Sequence, residues 1–194
     1  CADSLTSAVS MCQKINTVNK KKQLGLDQDV EIGIGIAYGP VMLGIVGHDM
    51  RLSTISISVQ TKIAEYLQNI ASKLNARIII TAAAADKIPG FDKAYHTRFL
   101  GFLYNSANDH YEKIYDVFDG DDEENYRLKL STKDMFEEGV IYFCARQFDK
   151  ARLAFVNVLK ENRRDNAARE YLYLCNKYYQ MEDADKADIF IDKF

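Results

Sequence analysis

Five glycines fall within residues 33–47, half of the ten in a 194-residue chain, inside the run VEIGIGIAYGPVMLGIVG (residues 30–47). Val30, Ile32, Ile34 and Ile36 alternate at period two, which predicts a strand with one buried face. Gly33 and Gly35 line its other face. Glycine weakens a strand interior, so a pair on one face implies that something approaches the backbone closely there. Tyr38-Gly39-Pro40 is a turn signal, and residues 41–46 read as a second strand. The expected unit is a β-hairpin. No helix follows Gly35, so this is not a dinucleotide fingerprint. The chain also lacks G-x-x-x-x-G-K-[ST], so it is not a P-loop.

Elsewhere the apolar spacing is mostly helical. Leu5, Val9, Cys12, Ile15 and Val18 predict a helix over residues 3–19, with Lys20–Lys22 beyond it. Residues 48–58 read as irregular. Ile63, Leu67, Ile70 and Leu74 stripe a helix over 59–74, and RIIIT (77–81) reads as a short, fully buried strand. A helix over 82–88 stops before Pro89-Gly90. Strands are expected over 95–104 and 110–118, joined by the polar turn 105–109. The acidic run DGDDEE (119–124) reads as a solvated linker at a domain boundary, without the spacing of a calcium loop.

Three helices follow, over 135–146, 148–159 and 166–179. Gly139, Tyr142, Ala151 and Phe155 stand at the offsets of a tetratricopeptide helical hairpin, to which this stretch is similar, although Arg163 occupies the usual proline position. One repeat and part of a second cannot bury a core alone, so the tail is expected to pack on the preceding domain or on a partner. The expected division is a domain over 1–118, an acidic linker over 119–130, tetratricopeptide-like helices over 131–181 and a tail over 182–194.

With 47% hydrophobic and 27% charged residues, the composition is globular. A net charge of −3 offers no basic field for nucleic acid, and none is expected as a partner. Cys1, Cys12, Cys144 and Cys175 have no metal-ligand spacing, and the last three sit among apolar residues, as small core hydrophobes in a reducing compartment do. His48, His96 and His110 are scattered and read as surface residues. The chain opens on Cys1 without a charged n-region, an apolar h-region or a membrane-length apolar stretch. It is therefore expected to be a piece of a longer protein, cytoplasmic itself and without membrane contact, whose missing upstream part could carry an anchor.

The stretch from Glu31 to Ala71, with IGIGIAYGPVMLGIVG, Arg51, Ala64 and Leu67 and then RIIIT, resembles the class III adenylate/guanylate cyclase homology domain. The order of elements extends the resemblance over nearly the whole chain, through FLGFLY and YEKIYDVFDG. Some bacterial cyclases carry helical segments like FEEGVIYFCARQFDKA after a similar end. The resemblance implies an α/β (α+β) fold, the ferredoxin-like nucleotide cyclase fold truncated at its N-terminus, with an α-helical hairpin-type extension.

In that family the site forms between two subunits. One supplies two aspartates for two divalent metals; the other supplies a base-selecting polar residue, an asparagine, a transition-state arginine and a late-strand lysine. Counted from Arg51, these last four positions fall on Ile55, Lys62, Tyr66 and, approximately, Ser106. Ile55 cannot read a purine edge, and no Asn-x-x-x-Arg occurs between Ser53 and Arg77. Loss of one preorganised charge-stabilising donor costs about 10²–10³ in rate, and Lys62 does not replace a guanidinium fork. The metal-binding aspartates belong to a part preceding Cys1, so no catalytic residue, cofactor or metal site is expected in this chain, although an active relative would use Mg or Mn.

The expected function is that of a pseudocyclase serving as a dimerisation or regulatory module in cyclic-nucleotide signalling. One alternative is the metal-supplying half of a heterodimeric cyclase. Another is a peptide-binding tail whose groove would be lined by Tyr142, Phe143, Phe148, Phe155, Tyr171 and Tyr178. A truncated sheet leaves an exposed edge, which favours a homodimer or a cyclase-like partner subunit.

Overall fold

The computed structural model describes residues 1–22, 25, 28–48, 51–106, 109–179 and 191–193. Its main sheet has the order β1-β4-β6-β5-β7, formed by Ile34–Ile36 (β1), Ile78–Thr81 (β4), His110–Val117 (β6), Thr97–Asn105 (β5) and Asp192–Lys193 (β7). Met42–His48 (β2) and Arg51–Ile57 (β3) form a separate two-stranded ribbon. Helices α1 (Ala2–Lys20), α3 (Ala82–Ala85) and α4 (Phe91–Ala94) cover one sheet face. Helices α2 (Val59–Leu74), α5 (Glu123–Cys144), α6 (Phe148–Glu161) and α7 (Asn166–Tyr179) cover the other. The α/β class is therefore as expected, with the helical tail forming part of one outer layer.

Helix α2 follows from its sequence almost residue for residue. The Ser58 hydroxyl accepts from the Gln60 N–H at its start, and Asn75 closes it in the left-handed region. The predicted stripe Ile63, Leu67, Ile70 and Leu74 is buried. Strand β4 is buried on both faces: Ile79 joins the core beneath α2 and the tail, while Ile78 and Ile80 join the core beneath α1.

The glycine run folds differently from the expected hairpin. β1 pairs in parallel with β4, Ile34 opposite Ile78 and Ile36 opposite Ile80. The antiparallel hairpin instead joins β2 to β3, from Met42 opposite Ile57 to His48 opposite Arg51. The Gly39-Pro40 turn separates β1 from β2 without folding one back on the other. Residues 51–57 read as irregular because the ribbon lies outside the core, so no buried face marks them as a strand. Close approach at the two glycines is real, and the visitor is α2. A Cβ on Gly33 would lie 2.8 Å from that of Ala71, and one on Gly35 would run into the Ala64 carbonyl oxygen.

The acidic run is not a solvated connector. Asp121 is 3% exposed, and Asp122 caps α5 by accepting from the Glu124 and Asn125 N–H groups, both at 3.1 Å. The acids of the first turn suit the helix dipole, and α5 begins twelve residues before the expected start. Its early inward face carries Lys129 and Thr132, not apolar side chains, which hides the period. The helix expected over 82–88 shrinks to α3.

As expected, the tail packs on the preceding layer. One continuous core runs from α2 and the sheet into α5, α6 and α7. Gly139 lets α5 and α6 cross closely: a Cβ there would lie 2.9 Å from the Phe155 ring. Of the residues expected to line a groove in the tail, Phe143, Phe148, Phe155, Tyr171 and Tyr178 are buried in that core, and Tyr142 packs against it partly buried. Phe143, Phe155 and Tyr171 are fully buried, and the Phe155 and Tyr171 rings stack at 4.8 Å. Cys12 and Cys175 are buried, and burial pushes the Cys175 thiol up to about 12 and the Cys144 thiol to about 11. His96 and His110 are exposed; the side chain of His48 lies outside the described residues.

A Gly35→Ala substitution is expected to cost about 1–3 kcal/mol by overpacking. Gly44→Ala, whose new methyl would meet nothing within 4 Å, should be close to neutral. Urea midpoints of the two variants check the contrast.

Candidate functional site

The four expected family positions are spread over three elements. Ile55 stands on β3 opposite Gly44, on the ribbon. Lys62 and Tyr66 lie one turn apart on α2, Lys62 exposed and Tyr66 packed against the main core. Ser106 follows β5 and is exposed. Only Lys62 among them carries charge, and none is a carboxylate. Among the described residues no three His, Cys, Asp or Glu side chains converge as a metal-ligating group. This donor set does not fit a divalent metal pair.

The ribbon is distinctive in another way. Met42, Leu43, Ile45 and Val46 are 57–77% exposed, and Val41 and Val59 flank them in the open. Neighbouring strand residues point to opposite faces, so both faces of β2 are bare. Across from it β3 offers hydroxyls: Thr54 opposes Ile45 and Ser53 opposes Val46. An isolated two-stranded ribbon is marginal in water, and clustered exposed apolar side chains mark an interaction surface.

A second concentration of chemistry was not expected from the sequence. Arg98 on β5 is fully buried and forks onto Asp165, in the turn before α7, while its Nε donates to Asp116 of β6 at 3.0 Å. The Phe136 ring lies 4.2 Å from the guanidinium carbon. Lys129 Nζ stands 2.9 Å from Asp116 and 2.7 Å from Asp121, at ion-pair distance without hydrogen-bond alignment, and Asp116 Oδ1 has no hydrogen-bond partner among the described residues.

Burial works against the Arg98 and Lys129 charges, but the facing aspartates outweigh it and hold both groups protonated. Burial likewise opposes the Asp165 charge; Arg98 wins, and the carboxyl is held below its ordinary range. For Asp121 burial wins over Lys129, and the carboxyl rises. The sequence signal was available: Arg98, Asp116 and Lys129 sit at inward positions among apolar neighbours. Enclosed and mutually paired, the five side chains tie sheet to tail.

A cleft of about 430 Å³ opens where the ends of α2, α5 and α7 meet the entry to β1. Arg77, Arg164 and Arg169 line it together with Asp29, Glu31 and Asp122. Arg164 pairs with Glu124 at 3.1 Å, and Arg77 donates to Asn16. With cations and anions matched, the cleft favours neither sign of ligand.

No protein-family model matches the chain, the tetratricopeptide family included, and no solved structure matches it. Among curated proteins, it is 23% identical over 122 residues to the terminal-differentiation-specific adenylate cyclase of Dictyostelium discoideum. The match covers 63% of this chain and 6% of that protein. The relationship is to an adenylate cyclase, and it is distant. The chain spans only that small share of its relative's length. Among the described residues no helix is long and apolar enough to cross a membrane.

Breaking the buried cluster from one side leaves an uncompensated charge. Asp165→Asn is expected to cost about 3–5 kcal/mol at neutral pH. Because the folded pKa of Asp165 is depressed, its contribution is present above the unfolded value near 3.8 and is lost as pH falls through the folded value. The stability gap between wild type and variant should therefore narrow below pH 3.8, as measured by urea unfolding across pH.

Proposed function

We propose that this chain is an adenylate-cyclase-like unit that pairs with a second cyclase-type domain through the β2–β3 ribbon and does not itself turn over nucleotide. The observation that carries the reading is the ribbon, whose apolar strand is exposed on both faces beside the start of α2. The distant similarity to an adenylate cyclase supports the family side. The residues at the counted positions support the absence of turnover. Ile55 supplies no hydrogen bond to a base, and Tyr66 turns partly into the core where the resemblance calls for a phosphate-facing cation.

A second copy of the chain is the partner that this surface fits most directly. A bare ribbon presents the same strand edges and side chains on each copy, and a two-fold axis lets one patch cover itself. Burying the ribbon would remove its apolar side chains from water. The role is then regulatory: the unit sets the assembly of a cyclase-type signalling protein in cyclic-nucleotide signalling.

Two measurements test this reading. Sedimentation of the full chain at micromolar concentration should show a dimer, and the double substitution Leu43→Asp, Ile45→Asp should shift it to monomer with its helical content unchanged. Incubation with Mn²⁺ and ATP or GTP should yield no cyclic nucleotide above background. A monomeric wild type would overturn the pairing, and clear turnover by the homodimer would overturn the pseudocyclase reading.

A further inference from the structure

Strand β5 closes the far side of the sheet, and the tail deals with its outer edge group by group. The Phe99 N–H donates to Glu137 Oε1 at 2.6 Å, and the Leu100 carbonyl accepts from the Tyr171 hydroxyl at 3.1 Å. The Phe102 carbonyl accepts from the Ile191 N–H at 2.9 Å. Beyond that point Leu103 and Tyr104 pair in parallel with Asp192 and Lys193. Among the described residues, two residues of this nine-residue strand are laddered this way.

The slot is shaped by a bulge. Phe99 faces Tyr115 and Gly101 faces Ile114, so Leu100 is the extra residue. Gly101 has φ +129°, where an L side chain would be strained. A Cβ there would collide with the Tyr171 hydroxyl and stand 3.5 Å from the Ile191 Cβ. Ile191 fills this slot at 3% exposure and joins the main core.

We infer that the β5 edge is a docking slot for an extended peptide, held closed in cis by residues 191–193. The occupant it fits runs parallel to β5 and offers a branched aliphatic side chain at the Ile191 position. The chain's own segment shows the fit: one anchoring side chain, one main-chain hydrogen bond and two laddered residues. Such a short cis strand is a competitor that a peptide of the same chemistry can displace, with main-chain bonding supplying affinity and the Gly101 slot supplying selectivity. This inference is independent of pairing through the ribbon, which lies outside the main sheet.

The test uses the full chain and a fluorescein-labelled peptide of residues 187–194. Ile191→Asp in the chain unseats the cis segment, and binding of the peptide should tighten roughly 10–100-fold, the inverse of the fraction of wild-type chains with the slot open. A peptide carrying the same Ile191→Asp change should not bind. A second variant covers the case in which the Ile191→Asp chain does not fold. Tyr104→Cys with Lys193→Cys places two thiols at paired register positions; oxidation should lock the segment and abolish peptide binding, and reduction should restore it. Equal binding by the locked and reduced forms, or a folded Ile191→Asp chain that binds no more tightly than wild type, would overturn the inference.

Discussion

Arg98 fixes how the helical tail sits on the sheet, inside the core the two share. Its guanidinium is buried between a strand neighbour, Asp116, and a residue of the helical tail, Asp165. A buried cation of this kind adds little net stability against a well-packed apolar alternative, yet it is costly to strand without its partners. The consequence is geometric: the turn before α7 has to sit where Asp165 can reach β5. Once it does, Asp165 also accepts from the Ala168 N–H and caps α7. One carboxylate thereby starts a helix and fixes it to the sheet. Lys129 repeats the arrangement from α5, facing Asp116 on the sheet and Asp121 in the connecting loop.

Much of the fold was legible because its signals are local. The α2 stripe, the isoleucine run of β4 and the starts of α6 and α7 follow from spacing alone. The errors share one cause. Sequence periodicity reports contact with an apolar core, and wherever the relevant contact is something else the signal fails. The first turns of α5 face a charged cluster, so they read as a linker. Ser53, Thr54 and Ile55 of β3 face solvent, so this stretch reads as irregular. The glycines at 33 and 35 signalled a close approach correctly, but spacing does not say whether the visitor is a ligand or a helix. Packing by Ala64, Leu67 and Ala71 answers that, and it places β1 beside β4 instead of beside β2.

The candidate interaction surface was legible only in part for the same reason. MLGIV reads as any buried strand would, and nothing in its composition says that its residues stand in water. Only the placement of the ribbon outside the five-stranded sheet turns an ordinary apolar run into an exposed one. Gly44, opposite Ile55, removes one side chain from the middle of β2 and leaves the ribbon thin there. A thin, apolar, edge-bearing ribbon is poorly stabilised by its own contacts, so its stability and its pairing are one problem: whatever covers it also holds its shape.

The tail solves a comparable edge problem by other means. A nine-residue strand at the side of a sheet exposes a row of main-chain groups, which invites pairing with foreign strands. Here a carboxylate, a phenol and a short strand answer these groups one at a time, from α5, α7 and residues 191–193. The first two are fixed by helices that share the main core. The third is anchored, among the described residues, by the buried Ile191. The closure is therefore of two kinds along β5: helix-borne side chains answer Phe99 and Leu100, and a short strand answers Phe102 to Tyr104. A strand entering from solution would meet least resistance at that second end, where it has to displace a short strand instead of a helix.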